Sequence, residues 1–185
     1  MKKGISGSTL KILAMIFMVI DHFGQVVLKN GIILNAPYSM FTDEQFDMLM
    51  SAVNICHILG RISFPIFCFL LAEGFFHTHS LKKYILSLGI FALISEPIYD
   101  LANTGNLFSL EQQNVLFTLL LGLIVLTTIN KFNKNVVISC ATIVIGAYIS
   151  YICNLDGWYY GIALISVFYL FHDMPILKYT ASILV

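Results

Sequence analysis

The chain has 185 residues, of which 58% are hydrophobic and only 11% are charged. Its mean hydropathy is +0.87, whereas about a quarter of the residues of a soluble domain carry a charge. The formal net charge is +0, so no basic excess exists to attract nucleic acid. The 15 phenylalanines exclude a disordered chain. We therefore expect an all-α, polytopic helix bundle in a lipid bilayer, forming one integral membrane domain over residues 1–185.

Six apolar stretches are predicted to span the membrane, which takes roughly 20 residues per helix. They are Leu10–Leu28, His57–Phe76, Tyr84–Leu101, Gln113–Ile129, Val136–Cys153 and Trp158–Phe171. The apolar segment Pro175–Val185 is too short to span, so it is predicted as an interfacial helix or the start of a partial seventh. No small-residue cleavage site follows the first stretch, which is therefore expected to remain as the first span.

Charges alternate between the segments that connect these spans. With an even number of spans, one side carries Lys2, Lys3, Lys11, Lys82, Lys83, Lys131, Lys134 and Lys178. The other side carries Asp43, Glu44, Asp47, Glu111 and Asp156, with Lys29 as its lysine. By the positive-inside rule the N-terminus is predicted to be cytoplasmic.

Two local signals shape the segment that leads into the second span. Thr42 followed three residues later by Gln45 is typical of a capping box, so a helix is predicted to start there. Gly60 and Pro65 are the predicted bend points of the following span.

Ionisable residues recur at one predicted depth, although each costs about 2.5–3.5 kcal/mol to insert. Asp21 and His22 lie in the outer part of span one. Four pairs with i,i+4 spacing share a helical face each: His57 with Arg61, Glu96 with Asp100, Asn114 with Thr118, and Asp156 with Tyr160. Because Pro65 and Pro97 also free backbone carbonyls, we predict a polar, hydrated pocket that opens toward the outer side.

A second, cationic cluster lies near the predicted cytoplasmic end of span two. It consists of Glu73, His77, His79, Lys82 and Lys83. Such a cluster either holds the phosphates of a cytosolic ligand or anchors the chain at lipid headgroups.

Several segments resemble the TraX family of bacterial multi-pass membrane proteins. They are KILAMIFMVIDH (Lys11–His22), RISFPIFCFLLAEG (Arg61–Gly74), ALISEPIYDLA (Ala92–Ala102), NVLFT (Asn114–Thr118) and Asp156 with Tyr159-Tyr160-Gly161. The resemblance extends from Lys11 to about His172, after which the chain is shorter than the family leads us to expect. The family's named member is associated with N-acetylation of pilin, although nothing in this sequence marks pilin as the substrate.

The resemblance implies a membrane-embedded acyltransferase of the bacterial cytoplasmic membrane. It would move an acetyl or longer acyl group from cytosolic acetyl-coenzyme A to an amine or hydroxyl beyond the membrane. The acceptor would be a protein N-terminus, a glycan or a small molecule. The cluster Glu73–Lys83 would bind the donor, and no metal is expected.

Acyl transfer needs a base for the acceptor's proton and donors for the developing oxyanion. His22 is the predicted base, with His57 as the second candidate, and Glu96, Asp100 or Asp156 is expected to orient it. Asp21 is predicted to pair with Arg61, either within the catalytic site or as a structural ion pair. The alternative role of Arg61 is to hold the thioester oxygen or a carboxylate of the acceptor. The predicted substrate-binding residues are His57, Asn114, Thr118, Asp156 and Tyr160. Asn114 and Thr118 are alternatively links between helices. The alternative for His57 is a place at the outer interface, and for His22 that of a buried histidine hydrogen-bonded to a neighbour.

The sequence is also compatible with three other classes of protein. Buried carboxylates and proline-broken helices also occur in proton-coupled transporters, although no repeated halves are visible. A metal-dependent hydrolase would use His22, His57 and an acidic residue, but HExxH-type spacing is absent. A non-catalytic scaffold would leave so many charges at one depth without a cause. The sequence does not fix the oligomeric state.

Overall fold

A computed structural model describes residues 6–184, apart from the side chains of Tyr38 and Leu184, and this part of the chain is helical without β-strands. Helix α1 covers Gly7–His22 and continues as a π-helix over Phe23–Ile33. The other helices are α2 (Asp43–Gly60), α3 (Ser63–His77), α4 (Leu81–Thr104), α5 (Val115–Lys131), α6 (Val136–Ile152), α7 (Trp158–Leu170) and α8 (Pro175–Leu184). A short 3-10 turn covers Tyr38–Met40.

The helices confirm the predicted fold class, an all-α polytopic membrane bundle. Three helical stretches are long and apolar enough to cross a bilayer, namely Gly7–Ile33, Asp43–His77 and Leu81–Thr104. Each of the other three predicted spans coincides with one apolar helix, α5, α6 or α7. Helix α7 has 13 residues and extends about 20 Å, less than a hydrocarbon core of about 30 Å. A local thinning of the bilayer is the expected response to such a short helix.

The orientation in the membrane stays a prediction. Two of the lysines behind it, Lys2 and Lys3, lie outside the described residues. The C-terminal segment forms the separate helix α8 of 10 residues. A helix of that length is too short to span, in line with the prediction for Pro175–Val185, of which Val185 lies outside the described residues.

The contacts divide the chain into two compact units, unit 1 ending at Phe67 and unit 2 beginning at Cys68. In unit 1 the predicted capping box is confirmed, because Thr42 and Gln45 exchange side-chain to backbone hydrogen bonds. The predicted bend is present too: α2 ends at Gly60 and α3 begins at Ser63. The Ser63 hydroxyl donates to the Gly60 carbonyl at 2.7 Å, which closes the bend.

Two glycines let α2 approach the first helix of unit 1 closely. Gly24, in the π-helix, faces Cys56, and Gly60 faces Asp21, so that a Cβ at either glycine would overlap the opposing side chain. The π-helix has wider turns, as the Leu34 N–H to Lys29 carbonyl bond shows. The result is a contact in which the polar side chain of Asp21 lies directly against α2.

The core of unit 2 lies where α5, α6 and α7 pack together. Its fully buried side chains include Leu123, Leu126, Ile129, Ile162 and Ile165. Gly122 lies against Ile165, and Gly146 lies against Val125 and Ile162, so small residues bring these helices together.

The single tryptophan offers a test of the membrane boundary. Trp158 opens α7, half-exposed, and its ring meets Tyr151 edge-on at 5.9 Å. Aromatic rings at helix ends favour the bilayer interface. In lipid vesicles, bromines near the glycerol end of the acyl chain should therefore quench Trp158 fluorescence more than bromines near the midplane. Stronger quenching at the midplane would contradict this, and Trp158→Phe gives the background emission.

Candidate functional site

Unit 1 contains a partly buried hydrogen bond between a carboxylate and a histidine. Asp21 Oδ1 and His57 Nδ1 are 2.7 Å apart, and their side chains are 31% and 33% exposed. Because an ionised carboxylate only accepts hydrogen bonds, His57 must carry its proton on Nδ1 in this contact. Nε2 of the neutral ring is then an acceptor, which is the arrangement of a carboxylate-oriented general base.

The predicted ion pair between Asp21 and Arg61 is wrong. The Asp21 carboxylate bonds His57, and Arg61 is exposed and makes no side-chain ion pair within residues 6–184. Arg61 is the C-terminal cap of α2, one turn beyond His57. The close approach of Gly60 to Asp21 sets the axial position of α1, which puts the carboxylate level with His57 rather than Arg61.

His22, the base favoured by the sequence, is exposed. It follows Asp21 on α1 and therefore points about 100° away around the helix. No hydrogen bond or ion pair of its side chain occurs among residues 6–184. Its predicted catalytic role remains a prediction.

In unit 2, Glu96 and Asn114 join α4 to the start of α5. The Glu96 Oε2 atom accepts from the Asn114 backbone N–H at 3.0 Å and from its side-chain amide. The same amide donates to the Ala92 carbonyl at 3.0 Å, and Asn114 Oδ1 accepts from the Leu116 N–H. Asn114 is therefore the N-cap of α5 as well as an interhelical link. The Ala92 carbonyl precedes by one residue the Leu93 carbonyl, which Pro97 leaves without its helical donor.

We expect Asn114→Ala to destabilise the protein by about 1–3 kcal/mol, because Glu96, the Ala92 carbonyl and the Leu116 N–H would each lose a hydrogen bond to the buried Asn114 side chain. The thermal midpoint in detergent, followed by circular dichroism, measures this. Asn135→Ala is the matched control, since Asn135 is an exposed N-cap of α6 that bonds only the Ile138 N–H. That control should cost about 1 kcal/mol. Equal losses in the two variants would contradict the bridging role of Asn114.

Asp100, one turn after Glu96, is almost completely buried at 2% exposure. Its Oδ2 accepts from the Ser109 N–H at 2.8 Å, which ties the loop after α4 to the helix end. Its Oδ1, like Oε1 of Glu96, is buried without a hydrogen-bond partner in the described part of the chain. The two acidic residues thus lie on one face of α4, each with one oxygen unpaired.

Thr118 and Asp156 also meet in unit 2, but Thr118 contacts the backbone carbonyl of Asp156 and not its carboxylate. The Thr118 hydroxyl donates to the Asp156 carbonyl, and the Asp156 N–H donates to the Gln113 carbonyl at 2.9 Å. The Asp156 carboxylate accepts from the Gln112 amide at 3.2 Å. Tyr160 does not join these groups, because it is exposed and its hydroxyl bonds that of Tyr159 at 2.9 Å.

The predicted donor-binding cluster divides into two parts. His77, His79, Lys82 and Lys83 are exposed around the short link between α3 and α4. Glu73 does not belong with them: its Oε1 lies 3.2 Å from His172 Nδ1 and 3.8 Å from Lys178 Nζ. We define the cationic link as His77, His79, Lys82 and Lys83, whereas the carboxylate of Glu73 contacts His172 and Lys178.

Sequence reasoning missed the contact of Glu73 with His172 and Lys178. Lys178 is only 7% exposed, with its ammonium 5.2 Å from the centre of the Phe69 ring. The His172 ring lies tilted against that of Phe76, with 4.1 Å between the ring centres. The contact fastens α8 to α3. The available signal was Lys178, a lysine within the otherwise apolar segment Pro175–Val185. The positive-inside rule offered a sufficient reason for that lysine, so no partner was predicted for it.

Comparison with known proteins identifies relatives by sequence. The model of a family described as "TraX protein" matches residues 6–185. A protein of Dichelobacter nodosus named "Probable fimbrial assembly protein FimC, serogroup H1" is 33% identical over 128 residues, which is 65% of this chain and 45% of that protein. The chain thus spans less than half the length of this relative. No solved structure matches.

Proposed function

The chain belongs to the TraX family, and from this premise we propose that it is an acyltransferase of the bacterial cytoplasmic membrane. It takes an acetyl group from acetyl-coenzyme A on the cytoplasmic side and transfers it to an amine or hydroxyl at the outer side. The relative named as a probable fimbrial assembly protein supports a place in fimbrial assembly, so a pilus component is the first acceptor to examine.

The observation that carries the proposal is the 2.7 Å contact between Asp21 and His57. Acyl transfer requires a base that takes the acceptor's proton as the nucleophile attacks. A neutral imidazole oriented by a carboxylate does this near neutral pH, because a histidine titrates there and the carboxylate stabilises the imidazolium that forms. We assign the base to His57 and its orientation to Asp21.

The chemical step balances without a further reactant. The acceptor nitrogen or oxygen attacks the thioester carbon, and its proton moves to His57 Nε2. The carbon–sulfur bond then breaks, and the coenzyme A thiolate leaves and takes that proton. His57 returns to its neutral form, ready for the next turnover.

The residues of the cationic link fit the phosphates of coenzyme A. His77, His79, Lys82 and Lys83 are exposed, and α4 begins among them with Ser80 as its N-cap. A helix N-terminus adds N–H groups and a positive dipole that favour a phosphate. The His77 Nδ1 atom is 2.8 Å from the Glu73 carbonyl, so its Nε2 is the nitrogen that remains for a ligand.

The direct test is incubation of membranes with radiolabelled acetyl-coenzyme A. Membranes from cells that contain the protein should form a labelled product that membranes from cells without it lack. Identification of that product by mass spectrometry gives the acceptor. Flux of a small solute without consumption of the acyl donor would contradict acyl transfer and favour a transporter. Equal labelling with and without the protein would also contradict it.

A further inference from the structure

Arg61 is the single arginine of the chain. It follows Gly60 within the apolar helical stretch Asp43–His77, and its guanidinium cannot lose its proton to escape the cost of membrane insertion. The side chain is exposed and forms no ion pair with any residue between 6 and 184. The C-terminus of α2 attracts a cation, but this attraction offsets only part of that cost. A ligand with a negative charge would offset the rest.

Arg61 and His57 lie on one face of α2. The Arg61 N–H donates to the His57 carbonyl at 3.0 Å, so the helical turn between them is closed. Side chains four residues apart on a helix have Cβ atoms about 5–6 Å apart, so one small molecule can contact both. Asn54, which is exposed one turn before His57, extends the same strip, and the three positions fall within about 60° around the helix.

The guanidinium and the base nitrogen of His57 are both free to meet one ligand. The Asp21 carboxylate bonds Nδ1 of His57 at 2.7 Å, so the lone pair of the base is on Nε2, on the side of the ring away from Asp21. A planar guanidinium pairs with a carboxylate through two parallel hydrogen bonds. The strip on α2 therefore joins a carboxylate-binding group to a proton-accepting group.

The acyl donor does not supply the negative charge that Arg61 lacks. The phosphates of coenzyme A are proposed to bind at the cationic link, and the pantetheine arm that carries the thioester is uncharged. The thioester oxygen gains negative charge only as the transition state forms, so it does not balance the guanidinium in the resting complex. The acceptor remains as the source of the anion.

We propose that Arg61 binds a carboxylate of the acceptor and thereby selects amino or hydroxy acids, either free or at the end of a larger molecule. This inference rests on the proposed function, in which His57 Nε2 takes the proton of the acceptor's amine or hydroxyl. With its carboxylate held by Arg61, an acceptor places an amine or hydroxyl a few bonds away beside Nε2. Among protein N-termini, one that begins with an acidic residue fits this site.

Phenylglyoxal, a reagent that modifies arginine, tests the binding directly because the chain offers it one guanidinium. Peptide mass spectrometry of the purified full chain in detergent should show the modification at Arg61. Lactate, a small hydroxy acid, should slow the reaction about elevenfold at ten times its Kd. Lactamide, its uncharged analogue, should leave the rate unchanged at the same ionic strength.

Steady-state kinetics with the acceptor identified by labelling give a second readout. Arg61→Gln should raise the KM of that acceptor by about 10–100-fold, the usual contribution of a hydrogen-bonded charge, without a matching loss in kcat. Arg61→Lys keeps the charge but not the planar fork, so it should restore only part of the affinity. Lys29→Gln, which removes a cation of unit 1 that bonds the Gln25 side chain at 3.5 Å, should leave KM unchanged.

The two readouts separate this proposal from acyl transfer itself. An Arg61 that resists phenylglyoxal in the free protein, or that lactate and lactamide protect equally, would overturn the carboxylate site even if acetyl transfer occurs. A lower kcat with unchanged KM in Arg61→Gln would also overturn it, because the guanidinium would then act on the thioester oxygen. Protection by lactate without any acetyl transfer would contradict the proposed function and leave the binding of a carboxylate at Arg61 in place.

Discussion

His57→Ala should lower acetyl transfer by about 10²–10⁴-fold, the usual contribution of a positioned general base. The loss should appear in kcat, since the imidazole acts on the acceptor's proton during the chemical step. Asp21→Asn should lower the rate by at least about tenfold. A side-chain amide that donates to Nδ1 leaves the proton on Nε2, where it blocks the base. Radiolabelled product formed per unit of purified enzyme measures both losses.

Two further variants make this result specific. Asp47→Asn changes an exposed acidic residue of the same helix α2 and should keep full activity. His22→Ala decides between the two histidines, because the sequence favours His22 and the geometry favours His57. An inactive, folded His22→Ala beside an active His57→Ala would return the role of base to His22. That outcome would overturn the assignment of His57 while leaving acyl transfer in place.

Gly60→Ala should destabilise the protein and reduce activity together. A Cβ at Gly60 would overlap the Cβ and Cγ atoms of Asp21, which lie too near the α1 backbone to move aside. Overpacking of this kind costs about 1–3 kcal/mol. Because α1 and α2 must move apart, the bond between Asp21 and His57 lengthens and the base loses its orientation. Thermal melting and acetyl transfer measured on one preparation show both effects.

Gly89→Ala is the matched control for this substitution. A Cβ at Gly89 would lie 3.7 Å from Leu120 Cδ2, an ordinary contact. Replacement of a mid-helix glycine there should stabilise α4 by about 0.5–1 kcal/mol and leave activity unchanged. If Gly60→Ala behaved like Gly89→Ala, the close approach of α1 and α2 would not position Asp21.

The sequence predicted those parts of the fold that depend on local chemistry. Thr42 and Gln45 fix a helix start through bonds within four residues, so the capping box was visible without tertiary information. The break after Gly60 follows from glycine and a nearby proline in the same way. The apolar stretches predicted the helices because burial in lipid requires long uninterrupted runs. Helix α7, Trp158–Leu170, agrees with its predicted span Trp158–Phe171 to within one residue.

The candidate site was less predictable because its contacts join distant segments. His57 and Arg61 share one face of α2, so spacing alone offered both as partners of Asp21. The choice depends on the axial offset between α1 and α2, which Gly24 and Gly60 set by close packing. Likewise, Glu96 was predicted to take part in catalysis, yet one of its oxygens supports the N-cap Asn114. A helical face shows which residues lie together, but not which groups they meet.

The most direct measurement uses resealed membrane vesicles in which radiolabelled acetyl-coenzyme A is either trapped inside or added outside. A transmembrane acyltransferase should label acceptors only on the side opposite the donor, and His57→Ala vesicles should show no such label. Label that stays on the donor's side, or that crosses equally well in His57→Ala vesicles, would contradict transfer across the membrane through this histidine.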